Sequence, residues 1–229
     1  MKKHYPWLWF DADNTLFDYN RAEAIALLTS LQLFGLPFQQ RYMDTYRSIN
    51  QSLWESLERQ EIKPDVLRVR RFELFLEAIH EVGSAEGLST AYVQQLGLCF
   101  DLIDGAYEVL NALHGKSKIA IVTNGLTAVQ RSRLELSPIK PFISELIISE
   151  EIGAAKPHAA FFEIASARTG NPSKNDVLII GDSLSSDMQG GVNYGINTCW
   201  FNPNAEPKPQ DLRVTYEIRR LQDLLTIVD

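Results

Sequence analysis

The period of the hydrophobic positions changes twice along this chain. Residues 7–10, Trp-Leu-Trp-Phe, form an unbroken apolar run with Asp11 directly behind it, which predicts a short buried strand ending in a polar turn. After Phe17 the period becomes helical. Ile25, Leu27, Leu28, Leu31 and Phe34 form one stripe, and Tyr42, Tyr46, Ile49, Leu53, Trp54 and Leu57 a second, with Gly35-Leu36-Pro37 as the break between them. Pro64 opens a third predicted helix that carries Phe72, Phe75, Leu76 and Ile79 and stops at Gly83, and a fourth is expected over 88–102.

From Asp104-Gly105 onward, strands and helices alternate. Helices are expected at 105–114, 127–135, 158–168, 185–194 and 221–228, and strands at 119–123, 145–148, 177–181 and 197–201. Such alternation predicts an α/β fold with a doubly wound parallel sheet. The strand at 7–10 belongs to the same sheet. The expected organisation is therefore a core of residues 1–17 and 101–229, interrupted by a helical module at 18–100.

In an open parallel sheet, ligands collect beyond the carboxyl ends of the strands, so polar residues that follow a strand carry extra weight. Three clusters do so and are expected to face one cleft: Asp11 with Asp13, Thr123-Asn124-Gly125, and Gly181-Asp182-Ser183 with Asp187. Two carboxylates two residues apart can divide labour, one attacking an electrophile while the other exchanges a proton with the leaving group. A calcium loop beginning at Asp11 is disfavoured, because its sixth position would need Gly and is Leu16, and its twelfth would need Glu and is Ala22. Thr123 offers a hydroxyl, and a turn at Asn124-Gly125 can aim main-chain N–H groups at a phosphate, although an Asn-Gly turn also forms for its own sake. Asp182 can ligate a cation with Asp187 supporting it, while Asp187 also suits the helix dipole. Lys156-Pro157 lies between a strand and a helix, where an ammonium can neutralise a phosphoryl oxygen.

These residues resemble the haloacid dehalogenase-like superfamily of phosphohydrolases: Asp-x-Asp-x-Thr at 11–15, Thr-Asn-Gly at 123–125, Lys-Pro at 156–157 and Gly-Asp-Ser-x-x-x-Asp at 181–187. Residues 18–100 fall where that superfamily inserts a helical cap. Longer stretches resemble its intracellular 5'-nucleotidases for pyrimidine and related mononucleotides: Thr-Asn-Gly-Leu-Thr-Ala-Val-Gln from 123, Ile-Ser-Glu-Glu-Ile-Gly-Ala-Ala-Lys-Pro from 148, and Gly-Gly-Val-Asn-Tyr-Gly-Ile-Asn-Thr-Cys-Trp-Phe-Asn from 190.

The resemblance implies a magnesium-dependent phosphomonoesterase acting on nucleoside 5'-monophosphates. Asp11 would form an aspartyl phosphate and Asp13 would serve as acid and base. Magnesium would be held by Asp11, Asp182 and the main-chain carbonyl of Asp13, with Asp187 in support. Thr123, the Asn124 amide and Lys156 would bind the transferring oxygens. Asp13 disfavours carbon–halogen cleavage, since a halide leaves without a proton. Sugar phosphates and other small esters are the alternative substrates, followed by a mutase and a non-catalytic binding module on the same fold.

The 229 residues, 45% hydrophobic, suffice to bury a substantial core, and the formal charge of −7 makes a nucleic-acid polymer a poor partner. The apolar run behind Lys2 and Lys3 meets Asp11 too early for a signal peptide or membrane span, so a cytoplasmic location is expected. Cys99 and Cys199, each in an apolar stretch, are expected as buried thiols. In the helical module, Arg68, Arg70 and Arg71 could approach a phosphate or base, and Phe17, Tyr19, Tyr46 and Trp54 could stack on one, but packing and solvated helix faces account for most such residues. His4, His80, His114 and His158 show no zinc spacing.

Overall fold

The computed structural model describes residues 2–229. A six-stranded, all-parallel sheet has the order β3-β2-β1-β4-β5-β6. Its strands are β1 (Trp7–Phe10), β2 (Lys118–Thr123), β3 (Ile143–Ile148), β4 (Val177–Gly181), β5 (Asn197–Phe201) and β6 (Tyr216–Ile218). The doubly wound parallel sheet is as expected. All of β1 is buried because it pairs with β2 on one side and β4 on the other and is covered on both faces, which is why it reads as a continuous apolar run. Its side chains alternate. Leu8 and Phe10 join Ile121, Ile180, Val109 and Leu110 on one face, while Trp7 and Trp9 join Val122, Ile179, Phe161 and Phe162 on the other.

Nine α-helices are described: α1 (Tyr19–Leu33), α2 (Gln40–Glu58), α3 (Pro64–Ile79), α4 (Ala85–Leu98), α5 (Ala106–Leu113), α6 (Thr127–Leu136), α7 (Ser149–Ile152), α8 (Ala159–Arg168) and α9 (Gln189–Tyr194). The first four share an apolar cluster built on Leu27, Leu31, Tyr46, Phe72, Phe75, Leu88 and Tyr92, which runs on into α6 through Leu126 and Val129. The two chain crossings between these helices and the sheet layer lie side by side. The Asp18 N–H donates to the Asp101 carbonyl at 2.9 Å, and Phe17 bridges Leu102.

Several elements differ from expectation. The buried face of α1 carries Ala22, Ala26, Leu27, Ser30 and Leu31, while Ile25 and Phe34 are exposed, because α1 packs closely on α4 through small residues. Helix α3 ends at Ile79 with His80 in the left-handed region at φ 59°, before Gly83. Helix α4 begins where the Ser84 hydroxyl accepts from the Gly87 N–H at 3.0 Å, and it ends at Leu98, leaving Leu102 to the crossing strand. Residues 184–194 are not one helix: a π-helical turn at Leu184–Met188 precedes α9. The final helix is a 3-10 stretch over Leu221–Thr226, and β6 and α7 were not anticipated. Cys99 and Cys199 are buried free thiols. Among the described residues, no helix is long and apolar enough to cross a membrane.

Helix α9 approaches the sheet at Gly191, where an added Cβ would lie 2.7 Å from Thr198 Cγ2 and 2.8 Å from Ile179 Cγ2. Gly191→Ala is expected to destabilise the protein by about 1–3 kcal/mol through overpacking. Urea unfolding checks this, and an unchanged midpoint would contradict it.

Candidate active site

The order of strand connections reverses between β1 and β4, which opens a crevice at their carboxyl ends. Asp11 follows β1 and Asp182 follows β4, so the chain places its acidic clusters at this point. A cleft of about 220 Å³ is lined there by Asp11, Asp13, Thr123, Asn124, Lys156, Asp182 and Asp187 from the sheet side and by Tyr19, Asn50, Trp54 and Glu58 from α1 and α2. Every site residue expected from the sequence is therefore gathered around one opening.

Lys156 is the centre of the arrangement. Its ammonium is 1% exposed and donates to Asp11 Oδ1 at 2.6 Å, Asp187 Oδ1 at 2.6 Å and the Val122 carbonyl at 2.7 Å. The loop carrying it is stapled by Asn124, whose Nδ2 donates to the Lys156 carbonyl at 2.8 Å and whose Oδ1 accepts from the Lys156 N–H at 2.9 Å. Both ends of the Asn124 carboxamide are thus engaged, which leaves the main-chain N–H as its contribution to the cleft. The Thr123 hydroxyl accepts from the Gly125 N–H at 3.0 Å and retains its own proton to donate.

The π-helical turn sets Asp187. The Asp187 and Met188 N–H groups both donate to the Ser183 carbonyl at 3.1 Å, and Asp187 Oδ2 accepts from the Ser183 N–H at 3.2 Å. This turns the fully buried carboxylate inward, toward Lys156. Gly181 leaves room for it, since a Cβ there would lie 2.2 Å from Asp187 Oδ2. Asp182 is held through its main-chain carbonyl, which accepts from Trp200 Nε1 at 2.9 Å, and its Oδ1 accepts from the Thr15 hydroxyl at 3.5 Å.

Asp13 has different partners. Its Oδ2 accepts from Gln130 Nε2 at 2.7 Å, and its Oδ1 pairs with Nη2 of Arg133, a fully buried guanidinium that lies 4.5 Å over the Phe17 ring. Gln130 and Arg133 were missed in the sequence, where their spacing of three on a helix after Thr-Asn-Gly was the available signal. Asn50 and Glu58 were also missed. Arg68 faces Glu150 instead of a ligand, Arg70 pairs with Glu73 at 2.7 Å, and Arg71 is buried under Asn50. Phe17 and Tyr46 are buried in the interior, while Tyr19 and Trp54 do line the cleft.

Electrostatics mark an excess of negative charge. Oxygens of Asp11, Asp182 and Asp187 lie within 4.8 Å of one another, and Lys156 is the ammonium among them. Burial pushes the Asp11 carboxyl up to about 7, with Lys156 pulling it down and Asp187 and Asp13 adding to the rise. Burial, then Asp11 and Asp187, push Asp182 well above the carboxylate range. Burial opposes the charge on Lys156, but Asp11 and Asp187 outweigh it and raise its pKa. Three carboxylates around one ammonium suit a further hard cation with oxygen ligands, and magnesium fits that donor set.

A protein-family model described as haloacid dehalogenase-like hydrolase matches residues 8–201. The chain is 34% identical over 227 residues to the HAD-hydrolase YfnB of Bacillus subtilis, covering 99% of this chain and 97% of that one. It is 33% identical to the pyrimidine 5'-nucleotidase YjjG of Escherichia coli, covering 96% of each. It is 35% identical to the pyrimidine 5'-nucleotidase PynA of Streptococcus pneumoniae, covering 98% of this chain and 95% of that one. A crystal structure of YfnB bound to magnesium, described as revealing interdomain movement, superposes with a TM-score of 0.93 over 99% of this chain and 100% of that one.

Without metal, folded Asp11 keeps its proton up to about pH 7, whereas its ordinary value is 3.8. The stability this group contributes is therefore full below pH 3.8 and falls as pH rises toward 7. Magnesium competes with that proton, so the rise in melting temperature that it causes is expected to grow over the same interval and then level off. Melting curves from about pH 4 to about pH 8, with magnesium and with chelator, test this. A magnesium effect independent of pH would contradict it, and Asp11→Asn should remove this group's share.

Proposed function

The chain belongs to the haloacid dehalogenase-like hydrolases, and from that premise we propose that it is a magnesium-dependent phosphomonoesterase that hydrolyses nucleoside 5'-monophosphates through an aspartyl phosphate on Asp11. The observation that carries this reading is the buried Lys156 ammonium shared between Asp11 and Asp187 at the sheet's switch point, with Asp13 beside it on separate partners. The full-length likeness to YjjG and PynA supports the nucleotide as substrate.

Asp11 has the geometry of a nucleophile. Lys156 occupies Oδ1, and no hydrogen bond from a described residue reaches Oδ2, which leaves that oxygen free to form a bond to phosphorus. As it forms, the bond from phosphorus to the ester oxygen breaks and Asp13 transfers a proton to the leaving alkoxide. Asp13 then takes a proton from the water that attacks the phosphoryl group, which releases phosphate and restores Asp11. Gln130 and Arg133 hold Asp13 in place for both transfers. The Thr123 hydroxyl and the Asn124 main-chain N–H donate to the transferring oxygens, each well-placed donor contributing about 3 kcal/mol to the transition state. The Lys156 ammonium, its three protons held by Asp11, Asp187 and the Val122 carbonyl, offsets their charge through its field. Magnesium held by Asp11, Asp182 and the Asp13 carbonyl, with Asp187 in support, would neutralise phosphate charge and lower its repulsion from the attacking carboxylate.

Helices α1–α4, residues 18–100, act as a cap over the reaction. Interactions between them and the sheet layer include the Arg68–Glu150 ion pair and the contact of His158 Nε2 with the Glu58 carbonyl at 3.1 Å. The 220 Å³ of the cleft falls below the roughly 300–1,000 Å³ of most small-molecule sites, so a nucleotide needs these helices to move aside on entry. That same volume favours one second reading, a phosphatase for smaller esters such as sugar phosphates. The buried free thiols Cys99 and Cys199 suit a reducing compartment, and we place the enzyme in the cytoplasm.

Phosphate release from a panel of nucleoside monophosphates and sugar phosphates, with magnesium and with chelator, separates these readings. Magnesium-dependent release concentrated on pyrimidine nucleotides is expected, with Asp11→Asn reducing it by at least about a thousandfold while the fold is retained. A preference for small esters would move the substrate to the second reading. Activity kept by pure Asp11→Asn would remove Asp11 as nucleophile.

A further inference from the structure

Helix α2 turns Asn50, Trp54 and Glu58 toward the cleft, a spacing of four that aligns them along its roof. The Asn50 carboxamide is engaged within the roof: Nδ2 donates to the Tyr19 hydroxyl and to Glu23 Oε1, each at 3.3 Å, and Oδ1 accepts from Arg71 at 3.3 Å. Glu58 is not so placed. Its Oε2 accepts from the Ser185 hydroxyl at 3.3 Å, and among the described residues no hydrogen bond reaches Oε1 and no cation pairs with the carboxylate. It is half-buried, and burial pushes its pKa up, with Asp187 adding to the rise.

Helix stability does not explain an acid here. Glu58 is the last residue of α2, at the negative end of the helix dipole, and the last turn holds no basic residue to offset it. The cleft that it lines already contains Asp11, Asp13, Asp182 and Asp187. In-line displacement by Asp11 places the leaving oxygen on the side away from the sheet, toward α2. Glu58 and the half-buried ring of Trp54 line the cleft from that side, which puts them in reach of the part of a substrate that departs toward α2.

We propose that Glu58 is a specificity-determining residue that filters leaving groups by charge. It admits phosphate esters whose leaving group is uncharged and carries N–H or O–H donors, and it rejects those with a second phosphate or a carboxylate at that end. The inference rests on the phosphomonoesterase reading of the cleft and refines its substrate class: a pyrimidine nucleoside with one phosphate passes, since its base offers N–H donors to a carboxylate and a flat face to Trp54. A second anionic group meets a like charge that the low-dielectric roof screens poorly.

The test compares two matched pairs of substrates on wild type, Glu58→Gln and Glu58→Asp. One pair is a pyrimidine nucleoside 5'-monophosphate and its 3',5'-bisphosphate; the other is glycerol 3-phosphate and 3-phosphoglycerate. Wild type is expected to prefer the uncharged member of each pair it turns over. Glu58→Gln should narrow that preference by about tenfold or more, chiefly through a lower KM for the anionic member, and Glu58→Asp should restore most of it. Glu58→Gln should also raise the melting temperature, because it removes a charge opposed to the helix dipole. A ratio unchanged by Glu58→Gln, with wild-type activity present, would overturn the filter and leave the phosphomonoesterase reading standing. Absence of turnover on any ester by wild type would overturn both.

Discussion

The buried ammonium of Lys156 is the constraint on which the rest of the site depends. A charge removed from water must find acceptors for all its protons, and Lys156 has three: Asp11, Asp187 and the Val122 carbonyl. Meeting them brings together the ends of β1, β2 and β4 and the loop that precedes α8. The local features of each segment serve this meeting. Asn124 clamps the Lys156 main chain, the π-helical turn swings Asp187 inward, and Gly181 makes room for it. Removing any one acceptor would leave a buried charge partly unmatched, which is why these motifs stand or fall as a unit.

The same geometry separates two carboxylates that lie two residues apart. Asp11 is buried among other acids, which pushes its carboxyl up to about 7 although the Lys156 ammonium beside it pulls the other way. Asp13 is held by an amide and a guanidinium on α6. Different partners suit them to the different tasks we propose, since cleavage of an ester with a poor leaving group requires a proton carrier distinct from the nucleophile. The surplus of acid around one ammonium, in turn, suits a further hard cation.

Much of this was legible in the sequence where a local pattern mapped directly onto one structural event. An apolar tetrapeptide followed by Asp reads as a buried strand with its acid at the carboxyl end, the same logic located Thr123 and Asp182, and Lys156 was read from its place between a strand and a helix. What escaped was non-local or irregular. Gln130 and Arg133 look like ordinary residues of an amphipathic helix until the fold brings α6 against the loop after β1. Glu58 closes a helix for which an acid is locally unfavourable, and only the cleft gives it a reason. β6 is three residues long and carries a charged residue at its centre, too little for a strand pattern to register. The turn at Leu184–Met188 follows a helical hydrophobic period, so its wider winding was invisible in that pattern. Helix α4 was expected to end four residues too late because Leu102 continues the apolar rhythm of the helix while belonging to the crossing strand.

The account stands on a covalent bond between Asp11 and phosphorus, and the most direct measurement is to trap it. Enzyme turning over excess pyrimidine nucleoside 5'-monophosphate with magnesium would be quenched rapidly in acid, digested and examined by mass spectrometry. The account predicts a phosphoryl group on the peptide that contains Asp11, absent when chelator replaces magnesium. Steady phosphate release with no phosphoryl group on that peptide, or with one on another residue, would contradict it.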